Sequence, residues 1–237
     1  MRRFYREVTV EPGEGPVAVL LDGRPLKTPA RQALRLPTRP LAEAVAAEWA
    51  AQGEQITPPT MPLTRLAVTA TDLMPARRAD AIEEVVGYAA TELLCYRAVS
   101  PADLAARQHE RWQPWLDWLV ATRGARLELV RSLDPCPQPE ASLLALRAAV
   151  EAVADWPLVG LHAAVTATGS LVLGLALLDG ALDAAEAFAL AQLDELYQIE
   201  RWGEEREQQR RHAALRRDLA TAARFLRLLE GRVSVDA

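Results

Sequence analysis

Histidine and cysteine are the residues best suited to acid–base catalysis, thiol chemistry and metal binding, and this chain of 237 residues has few of them. The three histidines, His109, His162 and His212, lie outside any H-E-x-x-H motif and lack the spacing to acidic residues that is typical of a metal site. The two cysteines, Cys95 and Cys136, do not form the C-x-x-C pair that holds zinc or exchanges disulfides. We therefore expect neither a metal nor a cofactor.

Motifs that bind nucleotides or activate a serine are also missing from the sequence. It contains no G-x-x-x-x-G-K-[ST] phosphate loop, no G-x-G-x-x-G between a strand and a helix, and no G-x-S-x-G nucleophile elbow. His162 lies in an apolar segment, where a buried histidine bonded to a backbone carbonyl is the simpler interpretation and a ligand or catalytic base is the alternative. This inventory favours a protein that is not an enzyme.

Composition and charge narrow the class of protein further. Half of the residues are hydrophobic, which is enough for a substantial core, and the formal net charge is −5. A chain without a global basic field is unsuited to binding nucleic acid or an anionic membrane surface. The basic residues 1–7 precede an alternating strand pattern instead of the apolar run of a secretory signal, and the cysteines show no pairing pattern. We expect a folded globular protein of the bacterial cytoplasm.

One apolar segment, residues 157–178, contains no Asp, Glu, Lys or Arg and is long enough to span a bilayer of about 30 Å. Its flanking residues Asp155 and Asp179 argue against a membrane span, because no Lys or Arg cluster adjoins the segment and polar side chains dilute it. We predict a helix buried on all sides within a helical domain, and no membrane insertion. Its small residues would let neighbouring helices approach closely: Gly169, Ser170 and Gly174.

The amino-terminal part of the sequence has the alternating pattern of β-strands. From Phe4 to Leu36, apolar residues recur with period two between turn residues. Asp22-Gly23 predicts a type I′ hairpin turn, because both central residues of that turn need positive φ. Arg24–Thr28 would be the returning strand and Ala33–Leu36 a further one. Thr38 is the expected N-cap of a following helix, whose apolar residues recur at fours: Leu41, Val45 and Trp49.

A proline-rich segment separates this part from a helical one. Pro58, Pro59 and Pro62 make the chain extended and stiff, so we place the domain boundary there. We predict an α+β fold, with a small β-rich amino-terminal domain at residues 1–62 that carries one helix and a larger helical domain at residues 63–237. Helices are expected at about residues 63–73, 76–96, 101–122, 140–154, 157–178, 183–202 and 204–229, with a short strand at 127–130 and a loop at 134–139.

Three tryptophans recur at intervals of three: Trp112, Trp115 and Trp118. They would lie along one side of a helix, where they either pack into the core or form an aromatic contact surface for a partner. Core packing is the simpler interpretation.

The segment Asp194–Gly203 combines aromatic and charged residues at helical spacing. The polar side chains either form pairs within the helix or present a recognition surface, because aromatic residues and arginine beside an acidic group are typical of protein interfaces. Two neighbouring stripes result: Glu195, Gln198 and Trp202 on one, and Asp194, Tyr197 and Arg201 on the other.

Several segments, taken in their order and spacing, resemble those of a known family. They are Leu21–Pro29, Glu48-Trp49 with Gln52, Met61–Leu66, Leu93–Ala98, Trp112–Trp118, Gly169-Ser170 and Asp194–Gly203. The chain resembles the assembly chaperones for the catalytic sector of F-type ATP synthase, in the branch that binds the α subunit. It departs from the family pattern at Glu92, where Asp is expected, and at Gln113, where an acidic residue is common.

The resemblance implies an ATP-independent chaperone that binds the free α subunit until a β subunit displaces it. It also marks Glu195 and Trp49 as functionally sensitive, although Trp49 would lie on a helix of the first domain and could act through folding. A monomer is expected, because a chaperone that holds its client must leave its binding surface accessible to that client. The predicted client-binding residues are Glu195, Asp194, Tyr197, Gln198, Arg201 and Trp202, with Trp49, Trp112 and Trp115 as structural or additional partner-binding residues.

Two other functions stay open at this point. An enzyme could use a cleft between the domains, with His162 or Glu110 as the base. A structural adaptor could use the helical domain to bind a different oligomer. A tight small-molecule ligand that is turned over would identify the first alternative, and the protein recovered in a pull-down would identify the second.

Overall fold

The computed structural model describes residues 1–13, 15–130 and 136–230, and the chain divides into two compact units. The first unit comprises Met1–Arg78, Asp155–Gly160 and the chain from Arg224 onward, and the second comprises Ala79–Ala154 and Leu161–Ala223. A small sheet at the amino-terminal end is followed by helices, which confirms the predicted α+β fold class. The domain boundary between residues 62 and 63 stays a prediction.

A four-stranded antiparallel sheet lies in the first unit, and its second strand pairs with each of the others. The second strand is also the most buried, which is why it is almost entirely apolar. The strands are β1 (Val8–Val10), β2 (Val17–Leu21), β3 (Arg24–Pro25) and β4 (Arg35–Leu36).

The predicted hairpin turn joins β2 to β3. Asp22 and Gly23 have φ angles of 49° and 76°, so both central residues have the positive φ that a type I′ turn requires. The Asp22 side chain also contributes to the structure, because its Oδ1 accepts hydrogen bonds from the backbone N–H groups of Arg6 and Glu7 at 2.9 and 2.8 Å. These bonds lower the pKa of Asp22 and fix the chain that leads into β1.

The helix α1 (Arg39–Ala50) packs against this sheet. Thr38 is its N-cap, as predicted, and the Thr38 hydroxyl accepts the N–H of Leu41 at 3.3 Å. Trp49 is 9% exposed, and its carbonyl accepts the hydroxyl of Tyr5 at 2.7 Å. Trp49 therefore belongs to the core of the first unit.

The chain continues through α2 (Pro62–Val68), a π-helical stretch and α3 (Met74–Gly87). The helix predicted at residues 76–96 is thus shorter than expected. Beyond Gly87 the chain forms 3-10 turns, and Glu92 has a non-helical ψ of 121°, so no continuous helix reaches residue 96.

The remaining helices of the described chain are α4 (Ala102–Arg123), α5 (Glu140–Glu151), α6 (Asp155–Thr168), α7 (Leu171–Leu178), α8 (Ala184–Ala191), α9 (Leu193–Trp202) and α10 (Arg206–Leu229). The single buried helix predicted at residues 157–178 is therefore two helices. Gly169 ends α6 with a φ of 70°, and Ser170 begins α7 by accepting the N–H of Leu173 at 3.0 Å.

Two further expectations also change. The helix predicted at residues 183–202 is divided at Gln192 into α8 and α9, and the strand predicted at 127–130 is reduced to one bridge between Val130 and Tyr96. The loop predicted at 134–139 lies partly outside the described residues, and its described part, 136–139, is non-helical as predicted. Within the part of the chain that the structure describes, no helix has the length and apolarity needed to cross a membrane.

Glu92 connects the turn Leu93–Cys95 to the start of α7. Its side chain is fully buried, and its carboxylate accepts the Ser170 hydroxyl at 2.5 Å and the N–H of Leu171 at 2.9 Å. Burial raises the pKa of Glu92 to about 7, although these hydrogen bonds oppose the shift. The carboxyl group therefore changes its charge near neutral pH.

This buried carboxyl group predicts a pH-dependent stability. The folded-state pKa of about 7 lies above the ordinary glutamate pKa of 4.5 that applies to the unfolded chain, so the contribution of Glu92 to stability is fully present below pH 4.5 and is lost as the pH rises through 7. A shift of that size corresponds to about 3 kcal/mol. Urea unfolding at a series of pH values should show this loss in the wild type and not in Glu92→Gln, which cannot titrate. Parallel pH profiles for the two proteins would contradict the prediction.

Gly174 in α7 lies so close to α6 that no side chain fits there. A Cβ at this position would overlap the Cγ2 methyl of Val165 and would lie 3.3 Å from Cδ1 of Leu161. Gly174 is therefore the small residue that allows the two helices to pack closely.

Gly174→Ala should destabilise the protein by about 1–3 kcal/mol, because the added methyl group overpacks the contact with α6. Gly87→Ala is the matched control, since nothing lies within 4 Å of a Cβ at the end of α3. The control should leave stability unchanged or raise it by up to about 1 kcal/mol. Thermal denaturation of both variants tests this, and equal melting temperatures would show that the Gly174 contact is not tight.

Candidate functional site

The residues predicted as a recognition surface lie on α9, in the second unit. Its buried residues are Leu193 and Tyr197, and α9 contacts both α4 and α8. The other predicted residues of α9 fall into three groups. One group contacts α4, a second contacts α10, and the third is exposed to solvent. The three groups have different roles.

Tyr197 and Arg201 are both bound to Asp103 at the start of α4. The Tyr197 hydroxyl donates to Oδ1 of Asp103 at 2.8 Å, and Arg201 forms an ion pair with the same carboxylate. The guanidinium of Arg201 also lies over the Tyr197 ring, 4.2 Å from its centroid. The tyrosine hydrogen bond, with a smaller contribution from Arg201, lowers the pKa of Asp103. These two residues of the predicted surface therefore form a contact between helices.

Asp194 is bound to the same helix through Gln108. Oδ1 of Asp194 accepts the side-chain amide of Gln108 at 2.8 Å. Gln108 is 1% exposed, and its Oε1 accepts the N–H of Ala98 at 2.7 Å. Asp194 thus satisfies a buried amide that would otherwise lack an acceptor.

Glu195 is bound to the amino-terminal part of α10. One carboxylate oxygen pairs with Arg211, and the other lies 2.7 Å from Nε2 of His212. His212 is 1% exposed, and its Nδ1 lies 3.3 Å from Oε1 of Glu204. Glu195 therefore joins α9 to α10, with a buried imidazole between two carboxylates.

Gln198 and Trp202 line an open notch between α9 and the start of α10. The notch has a volume of about 870 Å³, and Trp202 is 76% exposed. An exposed indole beside charged groups can bury apolar area and still donate a hydrogen bond, so the notch is well suited to contact another protein. Its other lining residues are Ile199, Gly203, Glu204, Glu205, Glu207, Gln208, Arg210 and Arg211.

The tryptophans predicted as structural or partner-binding residues differ in burial. Trp112 is 1% exposed and donates its indole N–H to the carbonyl of Leu190 at 3.0 Å. Trp115 is partly exposed, and its ring meets that of Trp118 edge to face, with centroids 6.2 Å apart. Trp112 therefore packs in the core of the second unit, as Trp49 does in the first, whereas Trp115 is accessible in part.

The candidate catalytic groups do not lie in this site. Nε2 of His162 lies 2.8 Å from Glu84, and the His162 side chain is 35% exposed. The interpretation of His162 as a buried histidine bonded to a backbone carbonyl was wrong, because its segment of α6 is accessible on one side. Burial raises the pKa of Cys95 to about 12, so its thiol is a poor nucleophile. Among the described residues, no cluster of three His, Cys, Asp or Glu side chains could hold a metal ion.

Sequence reasoning did not find the residues that hold α9 in place: Asp103, Gln108, Arg211 and His212. Asp103 and Gln108 come from α4, far away in the sequence, and no local pattern indicates which polar residues will meet. His212 had a detectable signal, because it shares the buried face of α10 with Leu219. A histidine on an apolar helical stripe needs a polar partner inside the protein.

Known proteins with similar sequences match most of the chain. The model of a family described as ATP12 chaperone protein matches residues 2–120. Protein atp12, mitochondrial, from Schizosaccharomyces pombe is 24% identical over 214 residues, which cover 85% of this chain and 74% of that protein.

Solved structures are similar over nearly the full length. The crystal structure of Atp12 from Paracoccus denitrificans is 42% identical, has a TM-score of 0.91, and covers 96% of this chain and 98% of its own. A mutant of P. denitrificans Atp12p is 41% identical, has a TM-score of 0.92, and covers 96% of this chain and 97% of its own. The similarity therefore extends over both units.

Trp112→Phe should destabilise the protein more than Trp115→Phe. The buried substitution removes the donor to the Leu190 carbonyl and leaves a cavity, at a cost of about 1–3 kcal/mol. Trp115→Phe, at a partly exposed position, should lower the free energy of unfolding by less than about 1 kcal/mol. Urea unfolding followed by circular dichroism measures both. Equal unfolding free energies would mean that Trp112 has no special packing role.

Proposed function

The chain belongs to the ATP12 chaperone family, and from this premise we propose that it is an assembly chaperone for the F-type ATP synthase. Its client is the free α subunit, which it binds without ATP and releases when a β subunit takes its place. The family match supports the chaperone activity. The sequence segments that resemble the α-subunit branch support the identity of the client.

The physical requirement for such a chaperone follows from the client. A free α subunit exposes the large, partly apolar surface that a β subunit covers in the enzyme, and exposed surfaces of this kind aggregate. The chaperone must cover this surface and still be displaced. An interface of about 800 Å² per partner with a polar rim meets both requirements, because it allows specific binding with a finite residence time.

The proposed client-binding surface is α9 and the notch beside it. The observation that carries this proposal is the exposure of Trp202, because a tryptophan that is 76% exposed offers a large apolar anchor. Gln198, also exposed, lies on the same notch. The other proposed residues hold this surface in place through their contacts with α4 and α10: Asp194, Glu195, Tyr197 and Arg201.

The proposed activity is binding alone, without turnover of a substrate. The chain works in this proposal as a monomer in the bacterial cytoplasm, where free α subunits are made. Release requires no nucleotide, because the β subunit competes for the surface that the chaperone covers.

Trp202→Ala should weaken binding of the α subunit by about tenfold or more, because it removes the anchor of the interface. Its melting temperature should match that of the wild type, since the side chain is exposed. Light scattering of α subunit diluted from urea, at increasing chaperone concentration, measures the protection. Leu144→Ala is the matched control, because Leu144 is also apolar and 59% exposed but lies on α5. It should protect the α subunit as the wild type does.

Two results would contradict different parts of the proposal. Equal protection by the wild type and Trp202→Ala would exclude the notch as the binding surface. If the wild type did not protect the α subunit at all, or protected it only with ATP, the proposed client or mechanism would be wrong. Addition of β subunit should release the chaperone from the complex.

A further inference from the structure

Glu195 is marked as sensitive by the family resemblance, yet its carboxylate is already engaged within the second unit. Arg211 pairs with one oxygen, and Nε2 of His212 lies 2.7 Å from the other. The Glu195 side chain is only 30% exposed. A carboxylate with a partner on each oxygen is held in place, so a substitution can disturb binding without removing a contact to the client.

His212 is the centre of this arrangement. Its ring is 1% exposed and meets Phe188 of α8 edge to face, with centroids 5.3 Å apart. Its two nitrogens face Glu195 on α9 and Glu204 just before α10. This buried ring of α10 therefore contacts α8 through Phe188 and α9 through Glu195, whereas its Nδ1 lies near Glu204 without a hydrogen bond.

The backbone between α9 and α10 does not fix their angle by itself. Gly203 has φ and ψ angles of 86° and 170°, a conformation that is essentially restricted to glycine. Glycine can also adopt many others, so side-chain contacts across the bend must select one. Trp202 is adjacent to Gly203, so a change in the bend moves α10 relative to its indole and reshapes the notch.

We propose that Glu195 acts on the client indirectly, and that His212 is the positioning residue that ties α9 to α10 and holds the Trp202 notch in its binding shape. This inference rests on the proposed function, because it concerns how the same surface is positioned. His212 contributes a hydrogen-bond donor toward Glu195. A different side chain with a donor at the same place should replace it.

Exchanging the charges of the pair distinguishes an indirect role from a direct one. Glu195→Lys places an ammonium group next to Arg211 and also removes any carboxylate contact to the client. A loss of binding in this variant alone therefore does not distinguish an indirect role from a direct one. Adding Arg211→Glu restores opposite charges across the bend, and a neutral His212 can accept a hydrogen bond from the new lysine. An indirect role predicts recovery of binding, whereas a direct contact predicts none.

A matched control separates pairing from net charge. Glu195→Lys combined with Arg217→Glu has the same formal charge as the exchanged pair, but it leaves the new lysine facing Arg211. Arg217 is exposed on α10 and does not line the notch. Titration of fluorescently labelled α subunit gives the affinity of each variant. We expect Glu195→Lys and the Arg217 control to bind about tenfold more weakly than the wild type, and the exchanged pair to bind within about threefold of it.

Two variants of His212 test the positioning role directly. The amide nitrogen of His212→Gln reaches about the position of Nε2 and can donate to Glu195, whereas His212→Leu fills a similar volume without a donor. We expect His212→Gln to keep its affinity within about threefold and His212→Leu to lose about tenfold. A purely packing role for the ring would make the two variants equal, which would overturn the proposal.

The remaining outcomes are decided by melting temperatures measured in parallel. If the exchanged pair regains the wild-type melting temperature and still binds as weakly as Glu195→Lys, then Glu195 or Arg211, which also lines the notch, contacts the client directly and the proposal fails. If the wild type does not bind α subunit, the proposed function fails instead. The contact between α9 and α10 is then tested by melting temperature alone. A melting temperature that recovers in the exchanged pair supports the contact, and equal melting temperatures for all variants that carry Glu195→Lys overturn it.

Discussion

The candidate site depends on how α9 is held, because polar side chains of this helix bind two other helices. Leu193 and Tyr197 are its fully buried residues, and the polar contacts beside them fix its position. Asp103 and Gln108 bind it to α4, and His212 binds it to α10. Such partly exposed pairs are weak individually and effective as a network. Asp194, Glu195, Tyr197 and Arg201 are thereby engaged within the protein, and the Trp202 notch is left as the proposed surface for a client.

Much of the fold could be predicted from local patterns. The hairpin at Asp22-Gly23 and the N-cap at Thr38 were correct because positive φ and capping geometry depend on a few neighbouring residues. The break at Gly169 was missed because no charged residue interrupts residues 157–178, although Gly169-Ser170 has the residue types that end one helix and cap the next. The break is stabilised by Glu92, whose carboxylate binds the start of α7 from a distant part of the chain.

The sequence placed the predicted recognition residues on a helix but did not show their contacts. Helical spacing correctly grouped the side chains of α9 into stripes, since that depends only on the period of the helix. It could not show that Tyr197 and Arg201 share Asp103, or that Glu195 meets Arg211 and His212, because those pairs form only when separate helices pack. The identity of the client came from family resemblance and not from the chemistry of any residue.

The proposed function requires that the α subunit binds at the notch formed by α9 and the start of α10. Hydrogen–deuterium exchange of this chain, with and without α subunit, measures this directly, because exchange reports burial of each backbone segment on binding. We expect slower exchange in residues 198–211 when the α subunit is bound. Unchanged exchange in that segment, with slower exchange confined to other parts of the chain, would contradict it.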